Sequence, residues 1–347
     1  MAVAAAAAIC LAALSACTAS QRSPASGSAP APGRMPGYYV VVAGPEVVIR
    51  ASGNGHVTGS VALPEPAGTP RSLVSGEPFG TADDGHVIIV VSRGGDLPGV
   101  ADVTLFRLTV TPDGRPAGLG QLNFDSKGVP VTGAALSPDG KMLALSLVHE
   151  FRPGTLYGSV EVLTVAGGVI RTWAGRGAPG YWPGVPSWAG DGTVVVPWWH
   201  STSQSTIPAE ITGVRELDLA APGDSLAAAP LVAFPAPALG LASAVIAPGG
   251  DIVTSSCRAG HRTATARVAE LSATNGRLIR VLRTQTARFP DDADAQDAIL
   301  ATCQVLAVAG DGDHVLVQAL AFGRIDNGVF TSLPGMSPGV LPVSATW

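Results

Sequence analysis

The sequence is poor in charge and in aromatic rings. Charged residues make up 14% and aromatic residues 5% of its 347 positions, where about a quarter charged is usual. The formal charge is −5. Arg22 and Arg34 are the only charged residues before Gly37, so the remainder carries about −7 and offers no overall basic footprint for nucleic acid. No stretch reaches the roughly 18 continuous apolar residues of a membrane-spanning helix. His-Glu-x-x-His is missing, as is a glycine-rich phosphate loop between a strand and a helix, so neither a zincin nor a nucleotide-binding motif is present. What is abundant is glycine (43) and proline (29), about a fifth of the chain. These are the worst helix formers, which excludes a helical bundle.

The N-terminus carries an address. Residues 2–16 are an apolar block, too short for a bilayer span and of the right length for a secretory h-region. The block ends in Leu14-Ser15-Ala16-Cys17. This tetrapeptide resembles the bacterial lipobox, whose cysteine is lipidated and becomes the first residue of the mature protein. The resemblance implies a signal peptide over 1–17, lipidation of Cys17, and a membrane anchor on the extracytoplasmic face, with plain secretion as the alternative. Met1 supplies the only positive charge ahead of the block, and a start codon assigned too late accounts for this. Residues 18–36 are almost entirely Ser, Pro, Ala and Gly, cannot bury a core, and read as a disordered tether. The folded domain is expected over 37–347.

That domain repeats. Asp84-Gly85, Asp139-Gly140, Asp191-Gly192, Gly249-Gly250 and Asp311-Gly312 each sit between two short apolar runs, and their second glycines are 55, 52, 58 and 62 residues apart. Asp-Gly suits a two-residue hairpin turn. A second hairpin follows each, as in Asp102 to Val110, Asp113-Gly114, then Pro116 onward. Four strands per unit at this spacing is the pattern of propeller blades. Tyr38 to Ala43, Glu46 to Arg50 and Gly53 to Val61 read as three strands of a further blade, and Val340 to Thr346 can supply its missing strand and close the ring. The expectation is an all-β, monomeric β-propeller of four-stranded antiparallel blades, six in number, with seven as the alternative count.

Ser137-Pro138-Asp139-Gly140-Lys141-Met142-Leu143-Ala144 resembles the blade signature of TolB-like and WD40-like propellers, and the chain as a whole resembles actinobacterial propeller lipoproteins of this type. The Trp-Asp end and Gly-His start of a true WD40 blade are absent. The resemblance implies the fold, a surface or secreted location and a protein-docking role, a related propeller lipoprotein being the partner of a sensor kinase. It implies no activity.

Candidate chemistry is sparse. His56, His86 and His314 lie beside turn glycines and read as turn residues. His149, His200 and His261 complete the set, and no serine or acid is marked as a triad partner for any of them. Asp291-Asp292-Ala293-Asp294-Ala295-Gln296-Asp297 is the densest acidic run, but it lacks the spacing of a Ca²⁺ loop and reads as a solvated loop or an acidic helix start. No metal, no cofactor and no catalytic residue is assigned. Cys10 and Cys17 belong to the leader. Cys257 and Cys303 remain, an even pair in an oxidising compartment. One ends the second strand of a blade and the other opens the next blade, so a disulfide is expected, with two separate thiols as the alternative.

Tyr181, Trp182, Trp188, Trp198, Trp199 and His200 fall within 20 residues of a chain holding six Trp. Trp188 is mid-strand and reads as core. Trp198-Trp199-His200 end a strand whose side chains alternate, so one Trp meets a loop face. Trp182, Trp198, Trp199 and His200 are therefore the candidate ligand-binding residues, with blade packing as the alternative role. Tyr38, Tyr39, Arg152 and Tyr157 are further loop candidates. The functional expectation is a non-catalytic scaffold that binds an envelope protein partner through its loops. The rivals are a hydrolase or lyase with residues converging on the central channel, and a carbohydrate- or peptidoglycan-binding module using Trp198 and Trp199.

Overall fold

A computed structural model describes residues 36–347 apart from 44, 65–73, 83–84, 95–100, 126–128, 153–154, 176–179, 190–191, 201–209, 222–224, 234–240, 248–249, 261, 289–302, 310–311 and 335–344. The leader with Cys17, the tether up to residue 35, His261 and the acidic run from Asp291 to Asp297 lie outside the described residues. The rest form strands and turns, and no helix occurs among them.

The chain builds six antiparallel sheets in succession. β1 (Tyr38–Ala43), β2 (Glu46–Ala51) and β3 (Val57–Ala62) belong to blade 1. Blade 2 is β4 (Val74–Ala82), β5 (His86–Gly94), β6 (Ala101–Val110) and β7 (Pro116–Gln121). Blade 3 is β8 (Val131–Leu136), β9 (Met142–Arg152), β10 (Thr155–Thr164) and β11 (Val169–Ala174). Blade 4 begins with a divided inner strand, β12 (Tyr181–Pro183) and β13 (Ser187–Trp188), both paired to β14 (Thr193–His200), followed by β15 (Glu210–Asp218) and β16 (Leu231–Ala233). Blade 5 is β17 (Leu241–Ile246), β18 (Ile252–Gly260), β19 (Thr263–Leu271) and β20 (Leu278–Arg288). Blade 6 is β21 (Gln304–Val308), β22 (His314–Gln318), β23 (Phe322–Asp326) and β24 (Val329–Ser332). Finally β25 (Ala345–Thr346) pairs with β1 through Val40↔Thr346 and Val41↔Ala345. The last strand thus becomes the inner strand of blade 1, and the ring of six closes without an open seam.

The sequence explains these elements locally. In β5 the run Val87-Ile88-Ile89-Val90 is buried at every position, because each inner blade face packs on a neighbour and alternation has no exposed side to use. The repeat turn is visible at Ser137 to Met142. Gly140 takes φ 70°, open to glycine at no steric cost, and its N–H donates to the Ser137 carbonyl at 2.8 Å. Ser137 Oγ donates to Asp139 Oδ1 at 2.6 Å, and the N–H of Lys141 donates to the same oxygen. These bonds to the charged form hold the Asp139 carboxyl down at about 2. The most motif-like residues of the chain are therefore turn structure. Thr111 and Asp113 repeat the arrangement in blade 2.

There is no single core. Each of the six seams between blades holds its own apolar cluster. Val40, Val42 and Ile49 meet Val87, Ile89 and Leu108 between blades 1 and 2, for example, while Tyr39 and Val41 meet Leu316 and Trp347 between blades 6 and 1. Near the axis the seams are pinned by side-chain hydrogen bonds. An inner strand has one edge with no strand beside it, and its backbone groups need other partners. Ser146 Oγ donates to the Gly184 carbonyl at 2.6 Å and Ser255 Oγ to the Cys303 carbonyl at 2.8 Å. Ser243 Oγ accepts from the Val305 N–H, and Trp188 Nε1 donates to the Ala135 carbonyl across the blade 3–4 seam.

Two positions depart from the sequence reading. The inner strand of blade 4 is not one run, because Pro183 and Pro186 bring no N–H and break the ladder over 184–186. Tyr39 is not a loop residue. It is fully buried, its hydroxyl donates to the Pro334 carbonyl at 2.6 Å, and burial raises its pKa against a smaller lowering by Arg50.

Candidate functional site

Strand direction sorts the connections onto two rims. Turns between first and second strands, and between third and fourth, lie at one rim, which carries the glycine turns. Connections between second and third strands, and from each blade to the next, lie at the other, the loop rim. The ends of β9 and β14 and the starts of β10 and β12 therefore share the loop rim.

Three cross-strand pairs of rings follow one another along this rim. His149 of β9 opposes Tyr157 of β10, with ring centroids 4.9 Å apart and planes 12° from parallel. Tyr181 of β12 opposes His200 of β14 at 4.2 Å. Trp182 opposes Trp199 one position further in. All six rings are half-buried. Alternation sends successive pairs to different seams. His149 and Tyr157 share a sheet face with Leu147, which packs between blades 2 and 3. Tyr181 and His200 share a face with Trp198, between blades 3 and 4, and Trp199 packs between blades 4 and 5.

Of the four candidate ligand residues, Trp182, Trp199 and His200 lie on this arc. Trp198 does not. Its side chain is 3% exposed, stacked on Tyr181 at 5.7 Å, with the Arg215 guanidinium 5.9 Å from its ring. It is blade packing. Partial burial of Arg215 lowers its pKa. Trp188 is half-buried against the same seam. Arg152 ends β9, and its side chain lies outside the described residues. Tyr157 was a loop candidate in the sequence, and His149 carried no assigned role. Their pairing needed the register of β9 against β10, which no spacing signals.

His149 Nε2 lies 2.7 Å from Ser159 Oγ, but Ser159 is 3% exposed within a seam and has no open side for a substrate. His314 Nδ1 lies 2.8 Å from Asp326 Oδ1, with Arg324 Nε donating to Asp326 Oδ2 at 2.6 Å. That pair belongs to blade 6, so it does not complete a triad with Ser159. Among the described residues no group of three or more His, Cys, Asp or Glu side chains converges as a metal site. Cys257 and Cys303 are joined by a disulfide, with Cα atoms 5.9 Å apart, which ties β18 of blade 5 to the residue preceding β21 of blade 6.

No protein-family model matches the chain, and no curated protein matches it. Three solved structures show its fold-level likeness. A eukaryotic initiation factor is 7% identical, with TM-score 0.32, covering 72% of this chain; this chain spans 64% of that one, less than two thirds. A luciferin-regenerating enzyme is 14% identical, with TM-score 0.41 and 86% of each chain covered. An ACO/RPE65 chimera is 11% identical, with TM-score 0.42, covering 89% of this chain and 72% of the other. At such values the likeness carries no functional argument.

Proposed function

We propose that this protein is a lipid-anchored, extracytoplasmic β-propeller that acts as a non-catalytic binding platform for a protein partner in the cell envelope. The observation that carries this reading is the arc of ring pairs on the loop rim. Half-buried Tyr, Trp and His rings on a rigid sheet offer large amphipathic contact area with little side-chain entropy left to lose, as protein-binding hot spots do. The lipobox-like Leu14-Ser15-Ala16-Cys17 and the tether support the location, and the Cys257–Cys303 disulfide fits an oxidising space. The likeness of Ser137 to Ala144 to TolB-like blades supports a docking role by analogy. The sugar-binding rival loses one of its two tryptophans, since the ring of Trp198 is packed between blades.

The test is cross-linking in intact cells. The wild type should give one adduct. The variant Trp182→Ala/Trp199→Ala should lose it, and Arg115→Ala/Lys141→Ala on the turn rim should keep it. An adduct that survives the tryptophan substitutions would reject the arc as the contact surface. Labelled palmitate should enter the wild type and not Cys17→Ala; equal labelling would reject the anchor.

A further inference from the structure

The acidic charge of the whole chain hides a basic blade. Blade 5, residues 241–288, carries seven arginines against two acids, Asp251 and Glu270. Three of these arginines are brought onto one sheet face by register. β18, β19 and β20 turn Cys257, Ala266 and Val268 toward blade 6. The alternate residues point the other way, toward blade 4. There Thr263 opposes Arg288. In the next row Arg258, Thr265 and Thr286 lie side by side, with the two threonine hydroxyls 3.0 Å apart. In the third row Arg267 opposes Thr284. Rows two residues apart are about 6.7 Å apart, so the patch spans three rows and three strands with no acid and no large apolar side chain among these positions.

The described residues of blade 4 leave this patch uncovered. Its outermost strand β16 has three residues, whereas β20 has eleven. Arg258, Thr284, Thr286 and Arg288 are exposed. β20 is also the outermost strand of its sheet, with one edge unpaired by any strand among the described residues, and it is far longer than the outer strands of the other blades. Toward its start on the same face stand Leu278 and Val281, 47% and 45% exposed.

We infer that β20 accepts an extended acidic polypeptide segment of a partner as a fifth strand of blade 5. The free edge supplies backbone hydrogen bonds, which a polypeptide alone can use along the whole strand. The face supplies charge complementarity: Arg288 stands on the strand beside the added one, and Arg267 and Arg258, on the next two strands inward, add positive field to the same face. A strand presents every second residue to one face, so the segment carries acids at alternate positions facing the arginines. This inference rests on the reading that the protein works by binding another polypeptide, but it uses a different surface from the ring arc.

The test is fluorescence anisotropy with the full-length protein and labelled eleven-residue peptides. A peptide alternating glutamate with valine should bind saturably and more weakly as salt rises. A peptide of the same composition with its glutamates in one block should bind at least tenfold more weakly, as should the alternating peptide N-methylated along one edge. Arg258→Gln/Arg288→Gln replaces two exposed side chains, should leave the melting midpoint unchanged, and should weaken the alternating peptide at least tenfold. Equal binding of the blocked or N-methylated peptide would overturn the inference. So would displacement of the peptide by inorganic polyphosphate or by anionic lipid vesicles at matched charge, which would make the face a general anion surface. If no peptide binds while the cellular adduct still depends on Trp182 and Trp199, the fifth strand is wrong and the platform reading stands. If peptide binding holds and the adduct ignores those tryptophans, the ring arc is wrong instead.

Discussion

Breaking the bond between Cys257 and Cys303 should cost about 4 kcal/mol. The two residues are 46 apart in sequence, and the chain-entropy relation for a loop of that size gives about 4 kcal/mol at 25 °C. A propeller of roughly 310 residues unfolds with an entropy near 0.65 kcal/mol per kelvin, so the midpoint should fall by about 6 °C. Removing two sulfurs from a packed seam adds to this, because Cys303 is fully buried. The assay is thermal melting followed by near-ultraviolet circular dichroism for three samples: wild type, Cys257→Ala/Cys303→Ala, and wild type in reductant. The double variant should melt more than about 6 °C lower. Reductant should lower the wild type by about 6 °C, the crosslink's share alone, and leave the variant unmoved. A variant that melts within a degree of wild type would refute the reasoning, since the unfolded chain would then gain nothing from losing the crosslink.

Three other perturbations test the seams and turns. Gly158 faces the inner strand of blade 4 so closely that a Cβ there would lie 1.9 Å from Pro183 Cδ and 2.8 Å from Trp182 Cα. Gly158→Ala should therefore cost about 3 kcal/mol or more in urea unfolding, and an unchanged midpoint would show that the two blades slide freely. Ser255→Ala leaves the Cys303 carbonyl without its hydroxyl donor and should cost about 1–3 kcal/mol. Combined with Cys257→Ala/Cys303→Ala the losses should not add, because both act on Cys303, and strict additivity would separate them. The Asp139 carboxyl should titrate at about 2 in a carbon-detected NMR series. Its folded pKa lies below the ordinary value of 3.8, so its contribution to stability is present above that value and is lost as pH falls toward about 2. A midpoint near 3.8 would mean that Ser137 and Lys141 do not hold it.

The repeat was legible because its chemistry is local. A glycine turn between two apolar runs needs no knowledge of distant residues, and its recurrence gave the blade count and the partner for β25. The site was much less legible. Trp198 and Trp199 are neighbours in sequence, yet one is packed in a seam and the other stands on the arc: alternation along β14 sends them to opposite faces, but which face is the closed one depends on the blades that flank it. His149 and Tyr157 meet only because β9 and β10 pair in one particular register. Tyr39 was a loop candidate and is among the most buried residues described, since Leu316 and Phe322 of blade 6 pack in its cluster and the Pro334 carbonyl takes its hydroxyl, all some three hundred residues away. The signals that failed are those in which side-chain direction depends on long-range pairing.

The arginine patch shows the same limit at the level of charge. Arg258, Arg267 and Arg288 are nine and then twenty-one residues apart, with no helical or strand period linking them, in a chain whose total charge is negative. Only the cross-strand order of β18, β19 and β20 sets them on adjacent rows. A propeller makes such surfaces where neighbouring blades differ in length. Equal outer strands cover one another, and a long strand beside a short one must expose a face. Blade 5 beside blade 4 is the largest such mismatch along the described ring. Trimming β20 after Arg283 should thus remove the surface without disturbing a core, because the apolar cluster facing blade 4 draws nothing from β20 and the β20 residue in the cluster facing blade 6, Leu282, is kept.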